Sequence, residues 1–347
     1  MKKIIFSLII AISSFAIANA QLTDVVTGLN SPQRLLLDGN TLYFTDANSI
    51  QKIDITVSSP TPEVVIAGLA TPEGMALEGN DLYVAEFGAG RISKIDLSVP
   101  TPVREDFATG LNTPNFLLLD GNFLYYSDNN SDVVARFDIT STTPTAEVVA
   151  TSVINFNPTG LAIRGDILYM AQGNANRIST VDVTSGNTSP TGLVAGLSRP
   201  LGMRIVNDVI YVTEFTGNEI TSYDLNGNPP MLANVVSGVL EPRDIALNST
   251  TLFIIEGGAD KISKIENILS VSEESEPTIA LFPNPGSNYL KIAGLTEPSA
   301  FTIYNVQGSE LWSGITGPLD EIDIARLSSG TYFIRIEQMP AITFIKK

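Results

Sequence analysis

The chain has 347 residues, 44% of them hydrophobic and 16% charged, so it can bury a core and is not a disordered protein. Its 20 basic and 37 acidic residues give a net charge of −17, which argues against nucleic acid as a partner because an acidic surface repels phosphate. The absence of Cys and His excludes disulfides, thiol nucleophiles, Ser-His-Asp triads and zinc or haem sites built on those residues.

The N-terminus has the features of a secretory signal peptide. Lys2 and Lys3 precede an apolar run, residues 4–18, and Ala18-Asn19-Ala20 provides a small-residue cleavage site. The alternative is a membrane anchor, but the run is shorter than the roughly 20 apolar residues that a spanning helix needs, and no other stretch approaches that length. We therefore predict that residues 1–20 are removed and that the exported chain begins at Gln21 without a transmembrane segment.

Six repeat units follow. Each opens with a proline, and successive prolines are 40, 42, 44, 42 and 42 residues apart. An aromatic residue in the middle of each unit and an acidic residue that closes a β-rich run keep nearly the same spacing, so chance similarity is excluded. The prolines are Pro32, Pro72, Pro114, Pro158, Pro200 and Pro242. The aromatic residues are Tyr43, Tyr83, Tyr125, Tyr169, Tyr211 and Phe253. The closing acids are Asp54, Asp96, Asp138, Asp182, Asp224 and Glu266.

Each unit predicts four short strands. In the second unit these are residues 74–77, 82–85 and 92–96, and the fourth type is represented by residues 63–67. Asp-Gly-Asn and Glu-Gly-Asn turns separate the first two strands and supply the positive φ that tight hairpins need. Four strands at this period are typical of a β-propeller blade. A solenoid is the alternative, but it would need polar caps, and none is visible.

The phase of the repeat predicts how the ring closes. The last unit ends after its third strand, at Glu266, and the chain begins with an unmatched strand of the fourth type, residues 24–29. This N-terminal strand should complete the sixth blade by pairing with the strand around 261–266. Closure would remove the exposed edges that favour aggregation.

The best-preserved unit resembles a known family of propellers. Its motifs are Pro72-Glu73-Gly74, Leu82-Tyr83-Val84-Ala85-Glu86 and Arg91-Ile92-Ser93-Lys94-Ile95-Asp96. They are similar to the NHL and gluconolactonase-type six-bladed propellers, over residues 22 to about 268. The resemblance implies the fold and leaves the function open, because this fold carries hydrolases, lyases and binding modules.

The C-terminal part of the chain loses the repeat after an acidic segment. Residues 279–347 resemble the C-terminal sorting domain of the type IX secretion system of Bacteroidetes, through motifs at 281–285, 301–305, 324–335 and 344–347. By pattern alone, an adhesion-type β-sandwich is the alternative. The resemblance implies that the type IX machinery is a partner, that the tail is removed, and that the protein is released or displayed at the outer-membrane surface. The expected organisation is a signal peptide (1–20), a six-bladed β-propeller (21–270), a linker (271–278) and a β-sandwich-like sorting domain (279–347).

Two sets of residues are expected at one end of the central channel, which we call the channel mouth. The first set follows each repeat proline and differs between units, which suits a ligand surface; its ligand-binding candidates are Arg34, Glu73, Asn115, Phe116, Arg243 and Asp244. Phe87 and Phe215, which follow the second strand in two units, are aromatic candidates for stacking on a sugar or anchoring a protein.

The second set is nearly uniform and ends the second strands: Asp46, Glu86, Asp128, Gln172, Glu214 and Glu256. Uniformity favours a structural role, in which these side chains accept hydrogen bonds from neighbouring loops. The alternative is a group of oxygen ligands, with Glu73, for calcium, the one candidate cofactor. Glu73, Asn115 and Asp244 also resemble the Glu/Asn/Asp metal site of gluconolactonase-type enzymes, although the longer motifs of that family are missing.

These patterns predict a secreted or surface-displayed, non-catalytic propeller that binds a protein or a glycan through its channel mouth, with no catalytic residue assigned. A monomer is expected. The alternative is a calcium-dependent hydrolase or lactonase of the gluconolactonase type, which would use carboxylates and a metal ion in place of histidine. Arg204 stands where other units have Leu or Ala, and burial of its charge would require an acidic partner.

Overall fold

The computed structural model describes residues 22–152, 156–226, 232–266, 280–293, 295, 298–318, 320–336 and 342–347. Contacts divide the chain into two units, Met1–Leu269 and Ser270–Lys347. The predicted signal peptide and linker lie outside the described residues. Within the described part of the chain, no helix is long and apolar enough to cross a membrane.

The first unit consists of six four-stranded antiparallel sheets, the blades of a propeller. An N-terminal strand, β1 (Thr23–Thr27), precedes them. Blades 1 to 3 contain β2 (Leu35–Asp38), β3 (Thr41–Asp46), β4 (Ser49–Asp54), β5 (Glu63–Ala67); β6 (Pro72–Glu78), β7 (Asp81–Glu86), β8 (Arg91–Asp96), β9 (Arg104–Thr109); and β10 (Pro114–Asp120), β11 (Phe123–Asp128), β12 (Val133–Asp138), β13 (Glu147–Thr151). Blades 4 to 6 contain β14 (Pro158–Arg164), β15 (Ile167–Gln172), β16 (Arg177–Asp182), β17 (Thr191–Ala195); β18 (Pro200–Val206), β19 (Val209–Glu214), β20 (Glu219–Asp224), β21 (Leu232–Ser237); and β22 (Pro242–Leu247), β23 (Thr251–Glu256), β24 (Lys261–Glu266).

The blades form a closed ring. The first strands of successive blades contact one another, and β22 of blade 6 contacts β2 of blade 1. Blade 6 takes its fourth strand from the N-terminus, because β1 pairs antiparallel with β24 through Thr23↔Lys264 and Thr27↔Lys261. The six-bladed propeller and the pairing of its N-terminal strand, both predicted from the repeat, are confirmed.

The core lies between neighbouring blades. In β7 five of the six residues are buried, because blades cover both faces of each second strand. The outermost strands have one uncovered side, and Val64 of β5 remains 57% exposed. The apolar alternation of the repeat therefore places one hydrophobic layer between each pair of blades.

Three glycines allow the first strands to approach closely at the channel. A Cβ on Gly74 would lie 2.4 Å from the backbone nitrogen of Leu117, and one on Gly160 would lie 2.2 Å from the carbonyl oxygen of Leu201. A Cβ on Gly202 would meet Oδ1 of Asp244 at 2.4 Å. Each glycine is the second residue after a repeat proline and makes room for the next blade.

We predict that Gly160→Ala destabilises the propeller. The added methyl group meets backbone, which cannot rotate away, so we expect a loss of about 3 kcal/mol, or roughly 10 °C in Tm. Gly192→Ala is the matched control, because a Cβ at Gly192 meets nothing within 4 Å, and its Tm should stay near the wild-type value. Thermal unfolding followed by circular dichroism measures both; equal melting temperatures would contradict the close approach.

Pairs of residues in the left-handed backbone region join the loops of adjacent blades at the mouth. An Asn or Asp just before a third strand accepts a hydrogen bond from the backbone N–H that precedes the next proline. The pairs are Asp132 with Asn157 (2.8 Å), Asn176 with Arg199 (3.0 Å), Asn218 with Glu241 (2.9 Å) and Asp260 with Ser31 (3.2 Å). All eight residues have positive φ, which Asn and Asp tolerate better than most residues. These bonds fix the loops on which the mouth residues lie.

The second unit is a small β-sandwich. One sheet contains β25 (Ala280–Phe282), β26 (Tyr289–Ala293) and β29 (Ile322–Asp323); the other contains β27 (Ser299–Tyr304), β28 (Glu310–Thr316), β30 (Gly330–Ile336) and β31 (Ile342–Lys346). Buried side chains of both sheets, such as Leu290, Ile303 and Phe344, form a shared core. The sandwich-like C-terminal fold predicted from the sequence is confirmed.

Candidate functional site

A backbone irregularity directs the residues after each proline toward the channel. In blades 2 to 6 the pairing of the first two strands shifts register directly after the proline, as between Pro72 and Met75. A bulge of this kind turns side chains away from the regular alternation and is common beside binding sites. In blade 3 the hydroxyl of Ser127 accepts a hydrogen bond from the released N–H of Phe116 at 3.0 Å. The residues that vary most between repeats thus lie where regular pairing ends.

Four of the six predicted first-set residues come together in what we call the mouth cluster: Arg34, Glu73, Asn115 and Asp244. Nη2 of Arg34 lies 2.6 Å from Oδ1 of Asn115 and 3.3 Å from Oε2 of Glu73. Oδ2 of Asp244 accepts a hydrogen bond from the N–H of Leu35 at 3.0 Å. Arg34 is 5% exposed and Asp244 is fully buried. The cluster therefore joins blades 1, 2, 3 and 6 across the channel.

The cluster is incompletely hydrogen-bonded. Among the described residues, four of the buried atoms in and beside it have no hydrogen-bond partner: Arg34 Nε, Glu73 Oε2, Arg243 Nε and Asp244 Oδ1. The contact between Arg34 and Glu73 is an ion pair by distance but lacks hydrogen-bond geometry. Burial raises the pKa of Glu73, although the Arg34 and Arg243 guanidinium groups oppose the effect. Unsatisfied buried polar atoms are costly, and they are commonly found at functional positions.

We predict that Glu73→Gln gains stability relative to the wild type as the pH rises. A folded-state pKa above the ordinary value of 4.5 means that the folded protein holds the proton more tightly than the unfolded chain. The contribution of Glu73 to stability is then fully present below about pH 4.5 and is lost as the pH rises through the folded-state pKa. Glutamine does not titrate, so the difference in Tm should move in favour of the variant between about pH 4 and about pH 7.

Glu63→Gln is the control for this pH series, because the Glu63 side chain is 72% exposed. Its Tm difference from the wild type should be small at every pH. If Glu73→Gln instead loses stability with rising pH, the ion pair with Arg34 outweighs burial, and the assigned direction of the Glu73 pKa shift is incorrect.

The second set of predicted residues binds the loops of its own blades. Each acid accepts a hydrogen bond from the backbone N–H sixteen residues earlier, in the loop that leads into the same blade. The pairs are Asp46 with Asn30, Glu86 with Ala70 (2.8 Å), Asp128 with Asn112 (2.9 Å), Glu214 with Ser198 (2.7 Å) and Glu256 with Leu240 (3.1 Å). Strand neighbours use further carboxylate oxygens, as when Arg91 donates from Nε and Nη2 to Glu86. The uniform acids therefore act as loop anchors.

The structure does not gather these acids into a metal-binding group. In the described part of the chain, no three acidic side chains are close enough to hold a metal ion together. The physical reason is that each carboxylate is directed into its own loop rather than toward the channel axis. At Glu73 and Asn115, the nearest cation is the guanidinium of Arg34. The residues that resemble a Glu/Asn/Asp metal site thus have a built-in cationic partner.

Phe116 and Arg204 lie below the mouth cluster. The ring of Phe116 has two guanidinium carbons near its centre, that of Arg34 at 5.7 Å and that of Arg204 at 5.0 Å. Arg204 also lies 3.2 Å from Oδ2 of Asp244, so the expectation of an acidic partner is confirmed. The channel is thus crossed by one layer of side chains, which consists of Arg34, Phe116, Arg204 and Asp244.

An aromatic stack lies at the edge of the mouth. Phe215, which is partly exposed, has the guanidinium of Arg199 4.8 Å and that of Arg243 5.6 Å from its ring centre. We call Arg199, Phe215 and Arg243 the rim stack. Arg243 also donates to the side-chain oxygen of Gln33. Phe87 is likewise partly exposed, but it lies in blade 2, on the opposite side of the ring from blade 5 and its Phe215.

Sequence analysis missed Arg199. The residue directly precedes its repeat proline, and its backbone is in the left-handed region (φ 56°), which directs its side chain differently from an ordinary strand residue. The repeat itself distinguishes Arg199, because the residue before the proline is smaller or acidic in the other five units: Ser31, Thr71, Thr113, Asn157 and Glu241.

Residues 280–347 match the secretion system C-terminal sorting domain. A search of curated proteins by sequence found no match. Among solved structures, the chain is similar to one assigned as a gluconolactonase, with a TM-score of 0.57, 15% identity, and 71% of this chain and 91% of the other covered.

Two further structures are similar at comparable levels. The PQQ-bound aldose sugar dehydrogenase from Streptomyces coelicolor aligns with a TM-score of 0.55 and 16% identity, over 71% of this chain and 98% of the other. The virginiamycin B lyase from Staphylococcus aureus aligns with a TM-score of 0.53 and 16% identity, over the same shares. At such identities the similarity concerns the fold alone. The chain thus combines a six-bladed β-propeller with a C-terminal sorting domain of a secretion system, and that domain implies a secreted or cell-surface protein.

Proposed function

We propose that the propeller is a non-catalytic binding module that recognises a protein or a glycan through its channel mouth. The observation that carries this proposal is the rim stack beside the mouth cluster. The partly exposed ring of Phe215 lies beside the guanidinium groups of Arg199 and Arg243, and aromatic and arginine side chains are typical of the residues that dominate binding energy at interfaces.

The charges at the mouth favour an anionic ligand. The recurrent acids are engaged by their own loops, whereas Arg243 contacts the neutral Gln33 oxygen and the Phe215 ring and has Glu73 as a nearby opposite charge. A carboxylated glycan or an acidic peptide segment fits this set. The unpaired Nε of Arg34 provides a further hydrogen-bond donor at the floor of the site.

A binding role is favoured over a metal-dependent lactonase by the partner of Glu73 and Asn115. The Arg34 guanidinium takes the contacts that a calcium ion would need, and a second cation at 3–4 Å from it would be strongly repelled. The raised pKa of Glu73 is a feature that favours the enzyme, because carboxyl groups with perturbed pKa values are common at catalytic sites.

The test uses the secreted chain from Gln21 and compares two variants. The protein would be applied to a glycan array that contains uronic-acid and neutral glycans, and surface proteins bound to it would be identified by chemical cross-linking. Phe215→Ala is expected to weaken any binding found by about 2 kcal/mol, roughly thirtyfold. Arg164→Ala is the matched control, because Arg164 pairs with Asp208 at 2.7 Å at the other end of the blades.

Two outcomes would overturn this proposal. One is binding that Phe215→Ala and Arg243→Ala leave unchanged. The other is lactone hydrolysis that requires calcium and disappears in Glu73→Gln.

A further inference from the structure

A cavity lies in the half of the channel away from the mouth. Its volume is about 410 Å³, and the first strands of blades 1 to 5 line it. The mouth candidates lie one or two residues after each proline, whereas most lining residues lie three to five after it, nearer the turns between first and second strands. Leu36, Ala76 and Ala162 are examples. The volume falls in the usual range of small-molecule sites, about 300–1,000 Å³.

The lining side chains are leucine, isoleucine, alanine, methionine and phenylalanine, and Arg204 provides the single charge. Backbone polar groups and Arg204 together contribute about half of the exposed wall, and the apolar side chains contribute the other half. A smaller cavity of about 260 Å³, between blades 5, 6 and 1, also contains Arg204 and is otherwise lined by Leu, Ile, Val and Ala. The Arg204 side chain therefore borders apolar space on more than one side.

Arg204 is the fourth residue after its repeat proline, and it differs in type from the residues at that position in the other blades. The other five blades have aliphatic residues there: Leu36, Ala76, Leu118, Ala162 and Ala246. An aliphatic residue would suit the apolar lining, and a guanidinium costs desolvation energy. Arg204 is fixed by three partners, since it donates to Met203 O at 2.8 Å, Leu35 O at 3.1 Å and Asp244 Oδ2 at 3.2 Å. Its side chain remains 26% exposed.

The charged side chains around the Phe116 ring carry one more positive than negative charge. Arg34, Arg204 and Arg243 stand against Glu73 and Asp244, and the raised pKa of Glu73 can only increase the positive charge. Arg34 and Arg204 both contact the Phe116 ring, so the two halves of the channel meet at this layer. The positively charged end of the cavity is therefore the end at Arg204, next to the mouth cluster.

We propose that this cavity binds a small amphiphilic anion, namely a carboxylate with an unbranched hydrocarbon chain. The chain occupies the apolar space, and the carboxylate accepts hydrogen bonds from the Arg204 guanidinium, which is already oriented by its backbone partners. The cavity adjoins the mouth cluster through Phe116 and through the contact of Arg204 with Asp244, but its proposed ligand does not depend on the function proposed for the mouth.

The test is isothermal titration calorimetry of the full secreted chain with octanoate and octylammonium below their micelle concentrations and with octanol below its solubility limit in water. Octanoate is expected to bind at least tenfold more tightly than octanol, and octylammonium is expected to give no heat of binding. Arg204→Leu, which restores the residue found in blades 1 and 3, is expected to lower octanoate affinity at least tenfold. Arg164→Leu, an arginine outside the cavity, is the control and should bind as the wild type does.

A second variant keeps the test decisive if Arg204→Leu fails to fold. Ala76→Leu combined with Ala162→Leu fills the cavity with a residue that blades 1 and 3 already carry at this position, and it should abolish octanoate binding with Arg204 intact. The proposal is overturned if octanoate does not bind, if octanol binds equally well, or if the filled variant or a folded Arg204→Leu binds octanoate as the wild type does.

Discussion

A chain that begins at Asn30 is expected to melt roughly 10 °C or more below one that begins at Gln21, or to lose cooperative unfolding altogether. The missing strand, β1, closes blade 6, and Val26 and Leu29 are buried in the core between the first and last blades. Burial of two such side chains contributes about 3–6 kcal/mol, which is comparable with the whole stability of many domains. The ladder to β24 and the Lys261–Asp24 ion pair at 2.6 Å are lost as well.

The shortened chain also exposes β24 as a new edge, so aggregation on heating should increase. Calorimetry and light scattering of the two proteins, both made without residues 1–20, measure these effects. Removal of residues 277–347 serves as the control for loss of a terminal segment and should leave the propeller transition in place. An unchanged melting temperature in the chain that begins at Asn30 would contradict the role of β1 in closing the ring.

Deletion of residues 277–347 is expected to stop export across the outer membrane while the propeller stays folded. The C-terminal unit has its own core of residues such as Leu290, Ile303 and Phe344, and residues 280–347 match the sorting domain. The described strands of all six blades lie within the first unit, so the melting temperature of the propeller should be retained. In the native host, we expect at least a tenfold fall in the amount at the surface and in the medium, with accumulation in the periplasm.

The reciprocal experiment attaches residues 270–347 to an unrelated periplasmic reporter, which should then reach the surface. Fractionation followed by immunoblotting measures both proteins. Normal export of the truncated chain would show that the sorting information lies elsewhere.

Local sequence was sufficient to predict the blades. Strands and turns depend on near neighbours, so aromatic second strands and closing acids could be recognised in each repeat, and Asp-Gly-Asn or Glu-Gly-Asn turns in the first three. The closing acids are an example, since Asp54 accepts hydrogen bonds from the N–H (2.9 Å) and the hydroxyl (2.7 Å) of Thr56, two residues later. These bonds lower the pKa of Asp54. The same turn recurs at Asp138 and Asp182.

The direction of side chains at the channel could not be obtained in this way. Glu86 and Glu73 are both acids at the same end of blade 2, yet Glu86 anchors its own loop and Glu73 faces Arg34 from another blade. The bulge after Pro72 decides this difference, because a shift of one residue in a strand moves a side chain to the other face.

The sequence by itself determined the six blades, the closing N-terminal strand and the sorting domain, because a repeat specifies which residues pair within and between units. Only the tertiary structure decided that Arg34 contacts Glu73 and Asn115. The same holds for the hydrogen bond that Arg204 donates to the carbonyl oxygen of Leu35, 169 residues away. Residues of different blades meet only when the ring is closed, and the guanidinium groups reach across the channel, where no sequence spacing predicts their partners.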